Sequence, residues 1–183
     1  EFIDSVLGLQ WQWNHNPVNN KWSLTERPGY LTLEALYSDN ISQAKNTLTQ
    51  KLMGNSGVIT IEMNIENMAP GQMAGLAFLA GKEENWIGVV KKGDYYFIKT
   101  ITGGTRTHGP RIGARTVWFR TVVDLYGSTE FYFSTDNDSF VQLGGECKLQ
   151  SGFWKGARIG LFSFNTIKEG GRADFSCFKY EIE

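Results

Sequence analysis

Ile59-Thr60-Ile61-Glu62-Met63-Asn64-Ile65 is the stretch on which the fold turns. Ile59, Ile61, Met63 and Ile65 alternate with Thr60, Glu62 and Asn64. Successive side chains of a strand point to opposite faces, so this segment reads as a β-strand with one face in a core and one polar face. A second copy of the pattern follows downstream. Val117, Phe119, Thr121 and Val123 alternate there with Trp118, Arg120 and Val122.

Around these two segments, further strands are predicted at Ala74–Ala80, Trp86–Lys91, Tyr95–Ile101, Thr129–Ser134, Phe140–Leu143, Arg158–Phe164 and Ala173–Ile182. Turn residues separate them. Gly93-Asp94 lies between two apolar runs and reads as a hairpin, as does Asp136-Asn137-Asp138 before Phe140. Gly103-Gly104-Thr105 through Gly113 reads as a longer loop. Ile41–Met53 is the one candidate helix, although Thr47-Leu48-Thr49 suits a strand equally well. Strands without intervening helices favour an all-β antiparallel sandwich over a βαβ fold. No internal repeat, low-complexity tract or Pro-rich linker interrupts the chain, so 1–183 is expected to form a single domain.

The bulk numbers agree. A chain of 183 residues with 41% hydrophobic and 20% charged content can bury a packed core. Its six Trp, seven Tyr and twelve Phe must mostly be core, since each buried ring removes ~150–250 Å² from water. A net charge of −1 argues against a nucleic-acid partner, which would need a basic excess. One basic stretch stands out: Lys91, Lys92, Lys99, Arg106, Arg111 and Arg115 are set against only Asp94, and solvated strand faces plus a basic loop account for it simply. No apolar run approaches the ~18 residues of a membrane span, so no membrane partner is expected. The start at Glu1, with no signal peptide in view, reads as a processed or excised fragment. Cys147 and Cys177 could form one bridge or remain two buried thiols.

Familiar catalytic constellations are missing. The chain has no zinc-type Cys/His cluster, no HExxH, no phosphate-binding glycine loop and no Gly-x-Ser-x-Gly elbow. A Ser-His-Asp triad would have to use His15, in a Trp-rich turn, or His108, in a Gly-rich loop. Glycosidases need two carboxyls ~5–9.5 Å apart, and no Glu-x-Asp-x-Glu run presents them. Glu62/Glu66 and Glu181/Glu183 share strand parity, but each pair reads as a solvated face. No catalytic residue is therefore assigned.

Two N-terminal segments are distinctive. Leu7-Gly8-Leu9-Gln10-Trp11-Gln12-Trp13-Asn14-His15-Asn16-Pro17 is followed by Trp22-Ser23-Leu24-Thr25-Glu26-Arg27-Pro28-Gly29-Tyr30-Leu31. Together they resemble the opening of the concanavalin A-like C-terminal domain of family 43 glycoside hydrolases, the β-xylosidases and α-L-arabinofuranosidases. Lys45–Lys51, Ala74–Phe78, Trp86–Val89, Phe131–Asp136, Ile159–Phe162 and Ala173–Phe175 extend the likeness in order along nearly the whole chain. Two departures stand out. Asp174-Phe175-Ser176-Cys177-Phe178 replaces the family's Asp-Phe-Asp-aromatic-Phe close, which weakens transfer of a C-terminal metal site. Asn137-Asp138 replaces the usual Asp-Gly turn, a change that Asn tolerates.

The resemblance implies a concanavalin A-like jelly roll and a division of labour. In that family a separate five-bladed β-propeller carries the catalytic carboxylates, and the sandwich packs on it as a non-catalytic accessory module. The expected partner is that catalytic propeller of the same polypeptide, and a xylan-type oligosaccharide is a second candidate. Some members bring a sandwich aromatic to the rim of the active site, and Phe153 and Trp154 between Gly152 and Gly156 are the candidates here. Trp11 and Trp13 share strand parity and either anchor the core or dock on the partner, with at least one expected in the core.

If the module binds sugar, Trp86, Tyr95, Tyr96 and Trp118 are candidate platforms, with Asn14, His15, Asn85, Arg111 or Arg115 as polar partners. A free-standing lectin-like module is the alternative reading, and an independent sandwich-fold hydrolase or lyase the third. No cofactor is required. Asp4 and Asp174 are candidates for a structural calcium, because jelly rolls often bring their termini together and hard oxygen ligands suit that ion. Asp136 and Asp138 look like the start of a calcium loop, but its twelfth position is Cys147 rather than Glu. Family 43 enzymes occur in cytoplasm, periplasm and exterior; a periplasmic or extracellular setting is slightly favoured.

Overall fold

The computed structural model describes residues 1–149 and 156–182. In chain order the strands are β1 (Gln12–Trp13), β2 (Trp22–Ser23), β3 (Leu31–Glu34), β4 (Leu36–Tyr37), β5 (Leu48–Lys51), β6 (Ser56–Asn64), β7 (Gln72–Leu79) and β8 (Asn85–Lys92). They continue as β9 (Tyr95–Thr102), β10 (Thr105–Ile112), β11 (Thr116–Asp124), β12 (Glu130–Ser134), β13 (Val141–Gln142), β14 (Arg158–Asn165) and β15 (Arg172–Ile182). Among the described residues the sole helical element is a 3-10 turn at Asn19–Lys21, and no helix is long and apolar enough to cross a membrane.

Two sheets face each other. The larger runs β1-β5-β14-β7-β8-β9-β10, with β4 beside β14, and the smaller runs β13-β12-β11-β6-β15-β3-β2. All ladders are antiparallel except β4–β14. All of the deciding segment but its last residue, Ile65, lies in β6, the centre of the smaller sheet, paired with both β11 and β15. Ile59, Ile61 and Met63 are fully buried against Leu76, Ile87, Ile98 and Leu161 of the opposite sheet. Alternation therefore does here what the pattern implies: it feeds one face of each sheet into a shared interior.

A second, smaller cluster sits on the outer face of the larger sheet. Ile41 and Ala44 of the 38–47 connection cover Ala77, Trp86, Ile101, Phe162 and Phe164. This makes β14 buried on both faces, along its whole length, and explains why its sequence shows no alternation.

The 41–53 segment forms no helix. Asn46 adopts φ 54°, which no helix admits. Its fully buried side chain accepts from the Val18 N–H (2.8 Å) and donates to the Val18 and Lys21 carbonyls (3.1 and 3.2 Å). The 103–113 stretch, expected as a loop, is instead the edge strand β10. Gly103 and Gly104 both take positive φ (55° and 77°), the requirement of a tight hairpin turn. Pro110 sits at the register break between His108 and Arg111, where an edge strand tolerates a missing N–H. Cys147 and Cys177 are both free thiols, and burial pushes the Cys147 thiol up to about 11.

Candidate functional site

A cleft of about 330 Å³ lies at one end of the sandwich, lined by residues that include Asn14, His15, Ser42, Glu83, Glu84 and Arg158. Three elements build it. The β1–β5 pairing sets Trp13 against Leu48, and the Asn14 N–H then donates to the Thr47 carbonyl at 2.9 Å, which fixes where the following side chains project. His15, exposed, donates from Nε2 to the Ser42 carbonyl at 2.8 Å; a carbonyl can only accept, so this bond sets the tautomer. Arg158 opens β14, between Lys51 of β5 and Leu79 of β7.

Arg158 is the unusual group. It is 6% exposed, yet among the described residues its bonds go to neutral oxygens. Nη2 donates to Asn14 Oδ1 at 2.7 Å and Nη1 to Thr49 Oγ1 at 3.3 Å, while Nε is buried without a partner. A buried cation ordinarily recruits a carboxylate, because desolvating an unpaired charge costs several kcal/mol. Burial accordingly pulls the Arg158 guanidinium below its ordinary value. Sequence reasoning passed over Arg158, Ser42, Glu83 and Glu84. A single charged residue, at the head of a strand with no other charge, was the available signal.

The expected site residues scatter. Trp11 packs between Phe2 (5.7 Å) and Phe178 (4.9 Å, edge-on), and Trp13 packs on Trp22 (5.0 Å); both lean on the main core. Trp86 is 2% exposed, edge-on to Phe162 at 5.5 Å, so it offers no open ring to a sugar. Tyr95, 49% exposed, lies at the start of β9. Tyr96 points inward and is tied to Lys91 and to the Glu66 carbonyl (3.1 and 3.2 Å). Trp118, half-buried, belongs to β11 of the other sheet. Tyr95 and Trp118 thus lie on different sheets and form no common platform. Asn85 is buried, and its Oδ1 accepts from the Gly103 N–H at 2.7 Å. Phe153 and Trp154 lie outside the described residues.

The carboxylates weighed as catalytic or calcium-binding groups lie away from this cleft. Asp174 is 1% exposed, accepts from Thr32 Oγ1 at 2.7 Å and pairs with Arg27 at 3.0 Å. These donors occupy both its oxygens, so it is a poor half of an Asp4/Asp174 calcium pair; Asp4 itself is exposed beside the N-terminus. Among the described residues no group of three His, Cys, Asp or Glu gathers to hold a metal ion. Glu66 pairs with Arg115 (2.9 Å) and Glu181 with Lys179 (2.7 Å), all exposed, as solvated strand faces do.

Comparison with known proteins agrees with this fold. The family described as the β-xylosidase C-terminal concanavalin A-like domain matches residues 1–181. A β-xylosidase of Formosa agariphila is 32% identical over 207 aligned positions, which take in 100% of this chain and 35% of that protein. A putative β-xylosidase of Xylanibacter ruminicola is 37% identical over 161 positions, 87% of this chain and 30% of that protein. Among solved structures, a bifunctional GH43-CE protein of Bacteroides eggerthii superimposes with TM-score 0.88 at 33% identity, over 97% of this chain and 24% of that one. The chain thus spans about a third or less of these relatives. An alginate lyase of polysaccharide lyase family 7, at TM-score 0.60 and 8% identity, shares the fold alone.

Proposed function

The chain belongs to the family of β-xylosidase C-terminal concanavalin A-like domains, and from that premise we propose that it serves as the non-catalytic accessory module of a family 43 glycoside hydrolase acting on xylan-type polysaccharide. The observation that carries this reading is one of proportion. The family matches the chain from residue 1 to 181, yet the chain accounts for 24–35% of its relatives. A domain with its own core but so small a share of the polypeptide works beside another domain.

The proposed partner is the catalytic propeller, and the proposed docking surface is the end cleft. Arg158 supports that choice. Its guanidinium lacks a carboxylate among the described residues, and a partner's acidic or carbonyl oxygen brought to the cleft would complete it. Asn14, His15 and Ser42 would supply the polar rim. A xylan-type oligosaccharide is the second occupant to consider, because the cleft's volume suits a sugar ring and its lining mixes Phe78 and Ile41 with hydrogen-bonding groups.

The test uses the purified chain with a family 43 propeller expressed separately. The chain alone should leave aryl xylosides and xylo-oligosaccharides intact. Mixed with the propeller, it should form a complex in analytical ultracentrifugation, and Arg158→Met should weaken that complex. Turnover by the chain alone sinks the accessory reading. Tight association that ignores Arg158→Met moves the docking surface away from this cleft.

A further inference from the structure

The basic stretch singled out in the sequence becomes a surface once the strands are paired. Register across the larger sheet aligns Phe162, Gly75, Gly88, Lys99 and His108 in one row. The neighbouring rows end in Arg106, opposite Ile101, and in Arg111, opposite Phe97. Lys92 lies opposite Tyr95. Lys99 and Arg106 share the outer face with Trp86, Ile101 and Phe162, away from the main core. The folding of β10 as a strand rather than a loop is what draws these cations together.

Three observations make this more than a solvated face. First, among the described residues Lys92, Lys99, Arg106 and Arg111 form no ion pair, whereas Lys21, Arg27, Arg115, Arg172 and Lys179 all do. Lys99 is half-buried, and burial, then Arg106, then Lys92 depress its pKa, with Glu84 opposing. Secondly, three of these four cations lie over aromatic rings. Arg111 is 3.8 Å from the Tyr95 ring centre, Lys99 5.3 Å from Trp86 and Lys92 5.6 Å from Phe97. Stacking of this kind holds a charged head in place while leaving its outward side free. Thirdly, the surface is hollow. A cleft of about 400 Å³ beside Val90, Lys92 and His108 and one of about 240 Å³ beside Trp86 and Arg106 share Met73 and Lys99 as walls. Glu84 and Asp39 stand in the second cleft, so the first is the more positive end.

We propose that this trough binds an anionic polysaccharide, one whose sugar chain carries uronic-acid carboxylates. The accessible apolar surface of Pro70, Met73 and Ile167 along the first cleft suits the C–H faces of pyranose rings, and the unpaired ammonium and guanidinium groups suit carboxylates spaced along the chain. Clefts of this size admit sugar rings, and a net charge of −1 opposes nucleic acid as the polyanion. The first cleft shares no lining residue with the end cleft, and the second meets it only at Glu84, so the proposal does not depend on the docking reading.

Calorimetric titration of the 183-residue chain tests it. The probes are xylo-oligosaccharides bearing glucuronic acid, neutral xylo-oligosaccharides of equal length, and a short single-stranded DNA. Acid-bearing sugar is expected to bind saturably and more weakly as salt rises. Lys99→Gln with Arg106→Gln should weaken it about tenfold or more, the loss of at least one charge-assisted hydrogen bond. Lys148→Gln, an exposed change elsewhere, should leave it unaltered. Circular dichroism checks that each variant is folded. Equal affinity for neutral sugar, no binding at all, indifference to the double substitution, or tighter binding of DNA overturns the proposal.

Discussion

Arg158 and Asn14, 144 residues apart in sequence, meet at 2.7 Å through a single Nη2–H···Oδ1 bond at the mouth of the end cleft. That bond ties the β1 turn to the head of β14. It also gives a buried guanidinium one of its two acceptors among the described residues. Asn14→Ala should therefore cost more than a surface change. Leaving a buried polar group short of a partner costs about 1–3 kcal/mol, and denaturant unfolding should read a loss in that range. Asn14→Asp should instead hold or raise stability, because a carboxylate turns a neutral bond into a charge-assisted one. A destabilised Asn14→Asp would mean that the site is built for a partner's anion and cannot accept its own.

A strict period of two is enough to place the central strands. Val117–Val123 lies within β11, Ile59–Ile65 lies in β6 save for Ile65 just past its end, and the Gly93-Asp94 turn joins β8 to β9. What local pattern does not carry is which outer face is covered. Trp86 reads as an exposed platform because nothing near it in sequence announces that Ile41 and Ala44 fold over the same face. The edge strand β10 escaped for the opposite reason. In Thr105–Ile112 only Ile112 is buried, so no apolar alternation marks it. The end cleft was half visible. Asn14 and His15 belong to the distinctive N-terminal motif, whereas Arg158, Glu83 and Glu84 reach the cleft through long-range pairing.

The turn between β12 and β13 depends on pH through one carboxylate. Asp136 accepts from the Asp138 and Ser139 N–H groups (2.9 and 2.8 Å) and bonds Ser134 Oγ at 2.7 Å. These bonds, with the Asp138 N–H foremost, push its pKa down to about 2 from 3.8. A depressed folded pKa contributes stability that is fully present above the unfolded value and lost as pH falls through the folded one. Asp136→Ala should thus melt below the wild type at neutral pH. The gap should narrow from about pH 4 and close towards pH 2. A gap that stays constant across that range would mean that the side chain acts through the turn's backbone preference and not through its charge.

Gly75 and Gly88 face each other across β7 and β8, and the pair fixes how closely those strands approach. A Cβ built on Gly75 would run into the Ile87 carbonyl and the Gly88 Cα, and one on Gly88 into the Ala74 carbonyl. Both obstacles are backbone, so no side-chain rotation relieves them. The ring of Phe162, fully buried, comes within 3.2 Å of the position a Gly88 Cβ would take, which closes the remaining direction. Gly88→Ala must therefore separate β7 from β8 or tilt Phe162, and overpacking of this kind costs about 1–3 kcal/mol or more. Gly113 is the matched control, since a Cβ there meets nothing within 4 Å. Urea unfolding should show Gly88→Ala destabilised in that range and Gly113→Ala within about 0.5 kcal/mol of wild type, as for a surface change. Because Gly88 lies beside Lys99 in the sheet, Gly88→Ala should also disturb the trough, and equal stability of the two variants would refute the close packing of β7 on β8.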